Sequence, residues 1–477
     1  MKKTKIVATI SDMRCEVDFI RSLVDAGVNV VRLNTAHMSK EGFDRVLSNT
    51  REVSTKVGIL MDTKGPEVRT TVCDDPIEFK SGDRFYIQCD PTAKTTHDVI
   101  NVSYPNFFDD VAVGSDVLID DGDLDMKIIT KEEGTRRLLC EALNDGTLGS
   151  RKSVNVPGVR INLPSLTEKD RNNILYAIEN GIDFIAHSFV RNKRDVMDIQ
   201  EILDVHNSNI KIIAKIENQE GVDNIDEILD VAYGIMVARG DLGIEVPQEK
   251  IPGIQRSLIR KCVERKRPVI VATQMLHTMI KNPRPTRAEV TDVANAIYYR
   301  TDAVMLSGET AYGKYPVEAV QTMTKIIVEA EKSKIEANDI RVSYESDDIN
   351  TTSFLAKQAV KSINKLGVQA IITDSYTGRS ARNLAAFRGK VPVFAVCYSE
   401  ELIRQLALSY GVVSEYQPIM DDKGVQRVDF SEALKSLVAR GLIAPQDKVA
   451  HMSGLLGKEG STTSLEINTV ENLMRQK

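Results

Sequence analysis

Two stretches of this chain place a lysine and two carboxylates at the ends of short apolar, β-branched runs. Lys215 and Glu217 close a run that begins at Ile210, and Asp241 follows the run Ile235–Ala238. Carboxylates suit a hard divalent cation, and a nearby lysine can offset the negative charge of a transferring phosphoryl group. If the two runs are neighbouring strands, these residues predict phosphoryl or enolate chemistry at their shared edge.

Eight runs of this kind occur along the chain, and most are continuously apolar, as expected for strands buried on both faces. They are Lys5–Ile10, Val28–Leu33, Val57–Met61, Ile182–His187, Ile210–Ile216, Ile235–Ala238, Pro268–Ala272 and Ala303–Leu306. The helix-type segments between them include Glu16–Ala26, Glu41–Thr55, Glu168–Asn180, Lys193–His206, Ile254–Arg265 and Arg287–Tyr298. Eight alternations predict an α/β fold, a (β/α)8 TIM barrel, with function at the carboxyl ends of its strands.

Two of the predicted helices carry sequence signals for their first turn. Thr167 and Thr286 each stand three residues before an acidic residue, Asp170 and Glu289 respectively. This spacing is typical of a capping box, in which each side chain satisfies the other residue's backbone N–H. The signals support helices that begin directly after the two threonines.

A long insertion, from about Thr70 to Val156, separates the third and fourth predicted barrel strands. It contains short alternating runs at Arg84–Cys89, Val117–Ile119 and Met126–Thr130, with turn signals between them. This pattern predicts a small antiparallel β domain. Because it follows a barrel strand, we expect a β-barrel lid over the catalytic mouth, although an insertion without that role is the alternative.

The chain after the barrel is predicted to form a separate α/β domain. A helical stretch at Pro316–Ala337 and a polar linker at Val342–Thr352 precede it. Its expected strands are Val368–Thr373, Val391–Cys397, Val412–Tyr416 and Lys448–Met452. The expected division is residues 1–69 and 157–341 for the barrel, 70–156 for the lid and 342–477 for the C-terminal domain.

Composition excludes several classes of protein. The 477 residues include 62 basic and 68 acidic side chains, and the net charge of −6 argues against a broad nucleic-acid surface. No apolar run approaches the length of a membrane span. The six cysteines form no CxxC pair, which argues against a disulfide scaffold or a zinc module and predicts a reduced, cytoplasmic protein.

Polar residues collect after six of the predicted barrel strands. They are Arg32 and Asn34, then Asp62, Thr63, Lys64, Glu67 and Arg69, then Lys215 and Glu217, then Gly240 and Asp241, then Thr273, and finally Ser307, Gly308 and Glu309. Any one of them could be a solvated pair or a helix cap. Their joint placement at one end of a barrel predicts a catalytic centre.

The stretches that carry these residues closely resemble the pyruvate kinase family, over nearly the whole chain. They are KTKIVATI at 3–10, VRLN at 31–34, MDTKGPEVRT at 61–70, IAKIEN at 213–218, IMVARGDLG at 235–243, VATQML at 271–276 and VMLSGETA at 304–311. The resemblance implies phosphoryl transfer from phosphoenolpyruvate to ADP, the last step of glycolysis, followed by protonation of enolpyruvate. It also implies a homotetramer that depends on Mg²⁺ or Mn²⁺.

The resemblance further implies roles for the rim residues around the phosphoryl group. Glu217 and Asp241 would hold the divalent ion, and Lys215 would lie beside the moving phosphoryl group. Arg32 would meet the phosphate, a role that suits its fixed charge and forked donors. Arg69 is a candidate contact for both substrate and nucleotide.

Two further roles concern the rest of the substrate. By resemblance, the main-chain N–H groups around Gly240 and Asp241, together with Thr273, would receive the substrate carboxylate. Thr273 and Ser307 are candidates near the proton path to the methylene carbon. A bound water as the acid is the alternative.

Members of the family commonly hold a monovalent cation, and this chain matches that site only in part. Asn34, Asp62 and Thr63 agree with the family pattern, but the usual serine position reads Ala36. Glu67 accompanies the potassium-dependent members. The resemblance therefore predicts K⁺ dependence with altered affinity, and the alternative is a site too weak to matter.

The nucleotide side of the resemblance rests on fewer residues. His37 matches a position near the base, and Lys152 matches a lid lysine that faces the nucleotide phosphates. The family's Gly-Pro-Ala-Ser turn after the first strand reads Ser11-Asp12-Met13-Arg14 here. Nucleoside diphosphate binding is therefore expected, while strict adenine preference is not.

A loop in the C-terminal domain has the composition of a phosphate-binding turn. Its candidate residues are Thr373, Ser375, Thr377, Gly378, Arg379 and Ser380. In the family this loop can hold a phosphate of a sugar-phosphate effector, and the late loop Ser453–Ser464 could complete such a site. An ordinary strand-to-helix turn is the alternative, and the chain has no tryptophan of the kind found in many fructose-bisphosphate-responsive members.

Two rival functions remain open from the sequence. One is another barrel enzyme that stabilises a metal-bound enolate, such as an aldolase or lyase, which would use Glu217 and Asp241 but need no lid lysine. The other is a catalytically silent nucleotide or metabolite sensor on the same fold. A sensor would have no need of Lys215, so its presence argues against that reading.

Overall fold

The computed structural model describes residues 1–36, 38–333, 351–418, 420–422, 425–427, 430–454 and 462–475. The chain begins with three barrel strands and the two helices between them. Their elements are β1 (Lys5–Thr9), α1 (Val17–Ala26), β2 (Val30–Asn34), α2 (Lys40–Val53) and β3 (Gly58–Asp62). Helix α2 begins where the Ser39 side chain accepts a hydrogen bond from the Gly42 N–H, the expected pattern for a helix N-cap.

The insertion that follows β3 is almost entirely β structure. Its elements are β4 (Ile77–Phe79), β5 (Arg84–Gln88), β6 (Val99–Asn101), α3 (Phe107–Asp110), β7 (Asp116–Ile119), β8 (Leu124–Glu132), β9 (Arg137–Ala142), β10 (Gly146–Leu148) and β11 (Val154–Asn155). The strands hydrogen-bond as a six-stranded sheet, in the order β11-β7-β8-β9-β5-β6, and a two-stranded sheet of β10 and β4. One hydrophobic core that includes Phe79, Phe85 and Leu148 lies between the two sheets.

One strand pair of the insertion differs from the antiparallel prediction. β5 and β6 are parallel, with Tyr86 opposite Val99 and Gln88 opposite Asn101. The intervening residues carry the chain back to the start of β5, a crossover that a parallel pair requires. The alternating pattern of single strands does not reveal this return, so the prediction was wrong for this pair.

The second part of the barrel follows the insertion. Its elements are α4 (Glu168–Glu179), β12 (Phe184–His187), α5 (Lys193–Val205), β13 (Lys211–Ile216), α6 (Gln219–Asp223), α7 (Ile225–Val231), β14 (Gly234–Ala238), α8 (Arg239–Glu245), α9 (Ile251–Glu264), β15 (Val269–Ala272), α10 (Arg287–Tyr298), β16 (Ala303–Leu306), α11 (Gly308–Ala311) and α12 (Pro316–Ser333). Both predicted capping boxes are present: Thr167 with Asp170 at α4, and Thr286 with Glu289 at α10.

The eight expected strands close into a parallel barrel, which confirms the predicted fold class. The order around the barrel is β1-β16-β15-β14-β13-β12-β3-β2, and every neighbouring pair is parallel. Most strand residues are buried, as continuous apolar runs predict. Closure brings the carboxyl ends of β2, β3, β13, β14, β15 and β16 to one rim.

The C-terminal domain is a five-stranded sheet with helices. Its elements are α13 (Thr351–Leu366), β17 (Ala370–Ser375), α14 (Arg379–Ala386), β18 (Val393–Cys397), α15 (Glu400–Gln405), β19 (Val412–Tyr416), β20 (Met420–Asp422), β21 (Val425–Arg427), α16 (Phe430–Ala439), β22 (Lys448–Gly454), β23 (Thr462–Thr469) and α17 (Val470–Arg475). The sheet order is β19-β18-β17-β22-β23, and only the β22/β23 pair is antiparallel. None of the described helices is long and apolar enough to cross a membrane.

The expected C-terminal strands are present, but two expectations at the edges of this domain need correction. Residues 342–350 of the predicted linker lie outside the described residues, as do residues 334–337 of the predicted helix before it. Thr351 and Thr352, expected in the linker, begin α13. Strand β23 was not predicted, and the part of the late loop at 455–461 also lies outside the described residues.

Two buried aspartates at the amino ends of barrel strands anchor the C-terminal domain. Asp302 directly precedes β16, and its Oδ2 lies 2.7 Å from Nη2 of Arg388. Asp183 directly precedes β12, and its Oδ1 accepts from Nε of Arg404 at 2.7 Å. Both aspartates are buried, so each arginine enters a site shielded from solvent.

We expect Arg388→Met to destabilise the protein by about 3 kcal/mol, because removing one member of a buried ion pair leaves the other charge uncompensated. Asp302 would retain hydrogen bonds from the backbone N–H groups of Val269 and Tyr410 but no counter-ion at 2.7 Å. Urea unfolding measures the change. Arg194→Met is the control, since the Arg194 ion pairs are exposed and should contribute at most about 1 kcal/mol. Equal losses in the two variants would contradict the expectation.

Candidate active site

The barrel rim holds a buried cluster of charges centred on Asp62, the last residue of β3. Nε of Arg32 donates to Asp62 Oδ2 at 2.7 Å, and Nζ of Lys215 lies 3.2 Å from Asp62 Oδ1. Arg32 also donates to the Thr9 hydroxyl at 3.0 Å. Burial would raise the pKa of Asp62, but Arg32 and Lys215 outweigh it and lower that pKa, so Asp62 is ionised. The predicted grouping of Arg32, Asp62 and Lys215 is therefore observed.

Lys215 is held by three oxygen-bearing side chains from three different strand ends. Its Nζ donates to Ser188 Oγ at 2.7 Å and lies 2.9 Å from Glu217 Oε1, in addition to its contact with Asp62. Burial opposes the ammonium charge, but the three nearby carboxylates of Asp62, Glu217 and Asp241 prevail and raise the pKa of Lys215. The lysine is thus a fixed positive charge, fully oriented before any substrate arrives.

Glu217 is buried with one oxygen incompletely satisfied. Its Oε2 accepts from the Phe189 N–H at 2.7 Å. Its Oε1 faces Lys215 as an ion pair without hydrogen-bond alignment, and no other described group donates to it. Burial and the neighbouring Asp241 raise the pKa of Glu217, while the ammonium of Lys215 at 2.9 Å favours the ionised carboxylate. A buried carboxylate oxygen of this kind is a ligand position for a cation.

The residues present fit a divalent ion that takes only part of its coordination from the protein. Among the described residues, no group of three or more His, Cys, Asp and Glu side chains could hold a metal ion. Glu217 and Asp241 supply two carboxylates, which follow the neighbouring strands β13 and β14. Mg²⁺ is commonly bound by one or two carboxylates together with substrate phosphates and water, and two are available here.

The loop after β15 has an unusual backbone that Arg239 stabilises. Thr273 and Gln274 both adopt positive φ angles, +67° and +55°, which cost energy for residues other than glycine. The guanidinium of Arg239 donates to the Thr273 carbonyl at 2.6 Å and to Asp292 at 2.6 Å. The Thr273 hydroxyl accepts from the Gly240 N–H at 2.8 Å, so these two of the residues expected to receive the substrate carboxylate lie side by side.

Ser307 begins the loop after β16, and Glu309 holds it against the loop after β15. The Glu309 carboxylate accepts from the Ser307 N–H at 2.8 Å and from the Leu276 N–H at 3.1 Å. The Ser307 hydroxyl is buried, and no described group forms a hydrogen bond with it.

The nucleotide-side residues line a cleft between the insertion and the barrel. The cleft has a volume of about 730 Å³, and Arg69, Lys152, Asp241 and Glu245 are among its lining residues. Nζ of Lys152 lies 2.6 Å from Asp120, and Nε of Arg69 lies 2.6 Å from Glu67. Both cations therefore face the cleft with an acidic partner that an anionic ligand would have to displace. His37 lies outside the described residues.

The residues expected to hold a monovalent cation are adjacent but already engaged in hydrogen bonds. Asn34 Oδ1 accepts from the Ala36 N–H at 3.1 Å. The Thr63 hydroxyl accepts from the Ser188 N–H at 3.0 Å, and its carbonyl accepts from the Ser188 hydroxyl at 2.7 Å. Asn34 and Asp62 pair directly across β2 and β3, so they share one edge of the rim.

The effector candidates lie together at the end of β17. Thr373 is buried and donates to the Met452 carbonyl at 3.0 Å, which makes it structural in this state. The Ser375 hydroxyl is buried, with no hydrogen-bond partner among the described residues. Gly378 has φ +77° at the start of α14, with Thr377 and Arg379 exposed beside it. The Ser380 hydroxyl is bonded to that of Thr462 at 3.0 Å.

Sequence reasoning missed two neighbours of Lys215. Ser188 was not a candidate, yet its hydroxyl joins Lys215 to Thr63. Phe189 has a positive φ of +56° and directs its N–H to Glu217. The only signal in the sequence was position, since both follow a predicted barrel strand. Serine and phenylalanine are not residue types that by themselves predict a contact with a catalytic lysine or a metal-binding carboxylate.

Comparison with known proteins agrees with this geometry. The family model described as pyruvate kinase, barrel domain matches residues 1–320, and that described as pyruvate kinase, alpha/beta domain matches residues 353–468. The pyruvate kinase of Borreliella burgdorferi is 48% identical over 479 residues, covering 99% of this chain and 98% of that protein. That of Geobacillus stearothermophilus is 44% identical over 481 residues, covering 99% and 81%.

A solved structure extends the agreement to three dimensions. A pyruvate kinase from Cryptosporidium parvum superimposes with a TM-score of 0.89 at 36% identity, covering 98% of this chain and 96% of that one. Sequence and structural similarity therefore cover the barrel, the insertion and the C-terminal domain alike. The chain belongs to the pyruvate kinase family.

Proposed function

We propose that this chain is a phosphotransferase that moves the phosphoryl group of phosphoenolpyruvate to ADP, giving pyruvate and ATP. The observation that carries the proposal is Lys215, a buried ammonium held between Asp62, Ser188 and Glu217 at the barrel rim. In phosphoryl transfer, catalysis is mainly positioning and charge stabilisation. A fixed positive charge beside two carboxylates supplies both.

In the proposed reaction, Arg32 and Lys215 face the phosphoryl group from two sides. Both are tied to Asp62, so neither needs to reorganise when negative charge develops on the transferring oxygens. Glu217 and Asp241 would hold Mg²⁺ or Mn²⁺, and the bound ion would neutralise part of the phosphoryl charge. Oxygen ligands and two carboxylates suit either ion.

Thr273 and its neighbours would orient the other end of the substrate. The Gly240 N–H and the Thr273 hydroxyl are 2.8 Å apart, and a carboxylate would take both as donors in place of their mutual hydrogen bond. After phosphoryl transfer the enolpyruvate needs a proton at its methylene carbon. Thr273 and the unpartnered Ser307 hydroxyl would deliver or relay that proton, directly or through water.

Lys152 and Arg69 would bind the phosphates of the nucleotide, with His37 near the base. Support comes from the cleft, where both cations face the same space as Asp241. Each has a carboxylate partner, Asp120 or Glu67, that offsets its charge. Phosphate binding would exchange these partners.

We also propose a K⁺ site formed by Asn34, Asp62 and Thr63, and we expect activity to rise with K⁺. Ala36 offers no side-chain oxygen to the cation. Half-maximal activation should therefore need roughly tenfold more K⁺ than in the variant Ala36→Ser, a difference of ~1.4 kcal/mol in the free energy of K⁺ binding. A K⁺ titration at constant ionic strength, with a large organic cation as replacement, measures both. Full activity of the unchanged protein without K⁺ would contradict the expectation.

Three broader features complete the proposal. The domain limits are residues 1–69 with 157–341, 70–156 and 342–477. Strand β23 lies at the edge of the described C-terminal sheet, and its unpaired edge could join a second copy in the expected homotetramer. The free state of all six cysteines supports a reduced, cytoplasmic setting.

The loop at the end of β17 supports an allosteric site for a sugar-phosphate or nucleotide effector. The unpartnered Ser375 hydroxyl and the amino end of α14 at Gly378 offer donors for a phosphate. Asp374 lies in the same loop and limits the positive character of the site. Binding assays with sugar phosphates and nucleotides would identify the effector.

Pyruvate formation from phosphoenolpyruvate and ADP with Mg²⁺ tests the function. Product analysis separates it from an aldolase or lyase, which would share Glu217 and Asp241 but would not produce ATP. A folded protein that binds nucleotide without forming pyruvate under any ion or nucleotide would instead be a sensor. Pyruvate and ATP in equal amounts support the proposal.

A further inference from the structure

A side-chain hydrogen bond joins the insertion to the barrel across the cleft. Nδ2 of Asn155, in β11, donates to Oε1 of Glu245, at the end of α8, over 3.2 Å. Both residues are partly buried and line the cleft. The contact joins residues 90 positions apart, one in the insertion and one in the barrel. Elsewhere, Asp110 of the insertion accepts hydrogen bonds from Asn162, shortly after the chain returns to the barrel.

The barrel side of this contact lies on the element that carries the metal carboxylate. Helix α8 contains both Asp241 and Glu245, and residues four apart lie on the same helix face. Glu245 is withdrawn from solvent, and this burial raises its pKa although the Asn155 hydrogen bond acts against the shift. A carboxylate placed in this way is fixed relative to Asp241 by one turn of helix.

The insertion side of the contact lies shortly after the cleft lysine in the chain. Asn155 stands three residues after Lys152, and it pairs with Leu118 on β7. The residue that ends this pairing, Ile119, leads directly to Asp120, the ion-pair partner of Lys152. Asn155 is therefore tied through a short β ladder to both charged groups that face the nucleotide side of the cleft.

The chain crossings between the two bodies form a narrow connection. The Thr70 N–H donates to the Lys152 carbonyl at 2.8 Å, and the Val154 N–H donates to the Val68 carbonyl at 2.9 Å. Two adjacent strands of chain, bonded side by side, permit rotation about their common direction. A contact away from that axis, such as the one between Asn155 and Glu245, fixes the angle of rotation.

We propose that the hydrogen bond from Asn155 to Glu245 is a positioning contact that sets how far the insertion closes over the barrel mouth, and thus where Lys152 stands relative to Asp241. The inference rests on the proposed function, because it concerns the alignment of the nucleotide with the phosphoryl donor. Neither residue is assigned a contact with the reacting atoms.

Steady-state kinetics of matched variants test this role. In Asn155→Ala we expect the KM for ADP to rise about fivefold, the factor expected for one lost hydrogen bond. Asn155→Asp should give a larger rise, since it places a carboxylate against Glu245. Glu245→Gln keeps an acceptor for Asn155 and should remain near the unchanged protein. The KM for phosphoenolpyruvate should stay the same, because Arg32 and Lys215 lie in the barrel.

Measuring the distance between the insertion and the barrel tests the role of this contact independently of enzyme activity. Spin labels at Val113→Cys in the insertion and Val205→Cys in the barrel, with the half-buried Cys89 replaced by serine, report the separation of the two bodies. Val113 and Val205 are exposed, and the other five cysteines are buried. We expect a broader or longer distance distribution in Asn155→Ala and Asn155→Asp and an unchanged one in Glu245→Gln.

The control variant is Glu141→Gln, which removes an ion pair with Arg84 on the same insertion but away from the cleft. It should leave both KM values and the distances unchanged. Unchanged ADP kinetics and distances in both Asn155 variants would overturn the proposal, as would an equal rise in both KM values or a rise in KM without a change in distance. If the unchanged protein forms no pyruvate, the proposed function fails, while the distances still decide whether this contact sets closure.

Discussion

Replacing Lys215 with methionine should reduce pyruvate formation by about 10³- to 10⁵-fold, the range reported when a cation that stabilises a transferring phosphoryl group is supplied or removed. At the rim, Lys215 is the charge that contacts Asp62, Ser188 and Glu217 at once. Methionine has similar length but no charge. Initial rates with saturating phosphoenolpyruvate, ADP and Mg²⁺ measure the effect on kcat.

The fold should survive this replacement. Asp62 keeps the contact of its Oδ2 with the Arg32 guanidinium, and Glu217 can take a proton, because burial raises its pKa. Lys211→Met is the matched control: it removes a lysine at the other end of the same strand, β13, and should retain activity. Comparable loss in both variants, or a Lys215→Met enzyme with ordinary turnover, would remove the lysine from the mechanism.

Glu217→Gln should weaken the response to Mg²⁺ by on the order of 10² or more, since even residues that only support a metal ligand contribute about 10- to 100-fold. The amide can still accept from the Phe189 N–H, so the local backbone has its partner. What is lost is the negative oxygen beside Lys215. Activity measured against Mg²⁺ concentration, with Mg²⁺ binding followed by calorimetry, separates weaker binding from slower chemistry.

The control for Glu217→Gln is Glu227→Gln. Glu227 also accepts a hydrogen bond from a backbone N–H, that of Lys193 at 2.9 Å, but it lies on α7 away from the rim. Its replacement should leave the Mg²⁺ response intact. An unaltered Mg²⁺ response in Glu217→Gln would show that this carboxylate is not a ligand.

The barrel and much of its rim could be predicted because both depend on local patterns. Continuous apolar runs of four to seven residues identify buried parallel strands, and the residue types after them identify the charged rim. This reasoning was enough to predict the rim positions of four residues: Arg32, Asp62, Lys215 and Thr273. Fold topology then forced them together, as barrel closure places all the strand ends on one edge.

The features that sequence reasoning missed depend on contacts between distant parts of the chain. Ser188 acquires its role only because β12 and β13 are neighbours, which places its hydroxyl 2.7 Å from Lys215. Arg239 is part of a recognised motif, but its support of the strained Thr273 carbonyl requires the β14/β15 contact. The parallel β5/β6 pair likewise depends on the path of a loop, which carries no periodic signal.

The anchors of the C-terminal domain have a consequence for how far a mutation can act. Asp183 and Ser188 bracket the four residues of β12, and Asp302 and Ser307 bracket the four residues of β16. Four strand residues span only about 13 Å, and a buried strand is hard to bend. Each arginine therefore contacts the residue at one end of a stiff strand, and a serine at the barrel rim lies at the other end of that strand. A substitution of Arg404 that displaced Asp183 would therefore act along β12 on Ser188, the hydrogen-bond partner of Lys215.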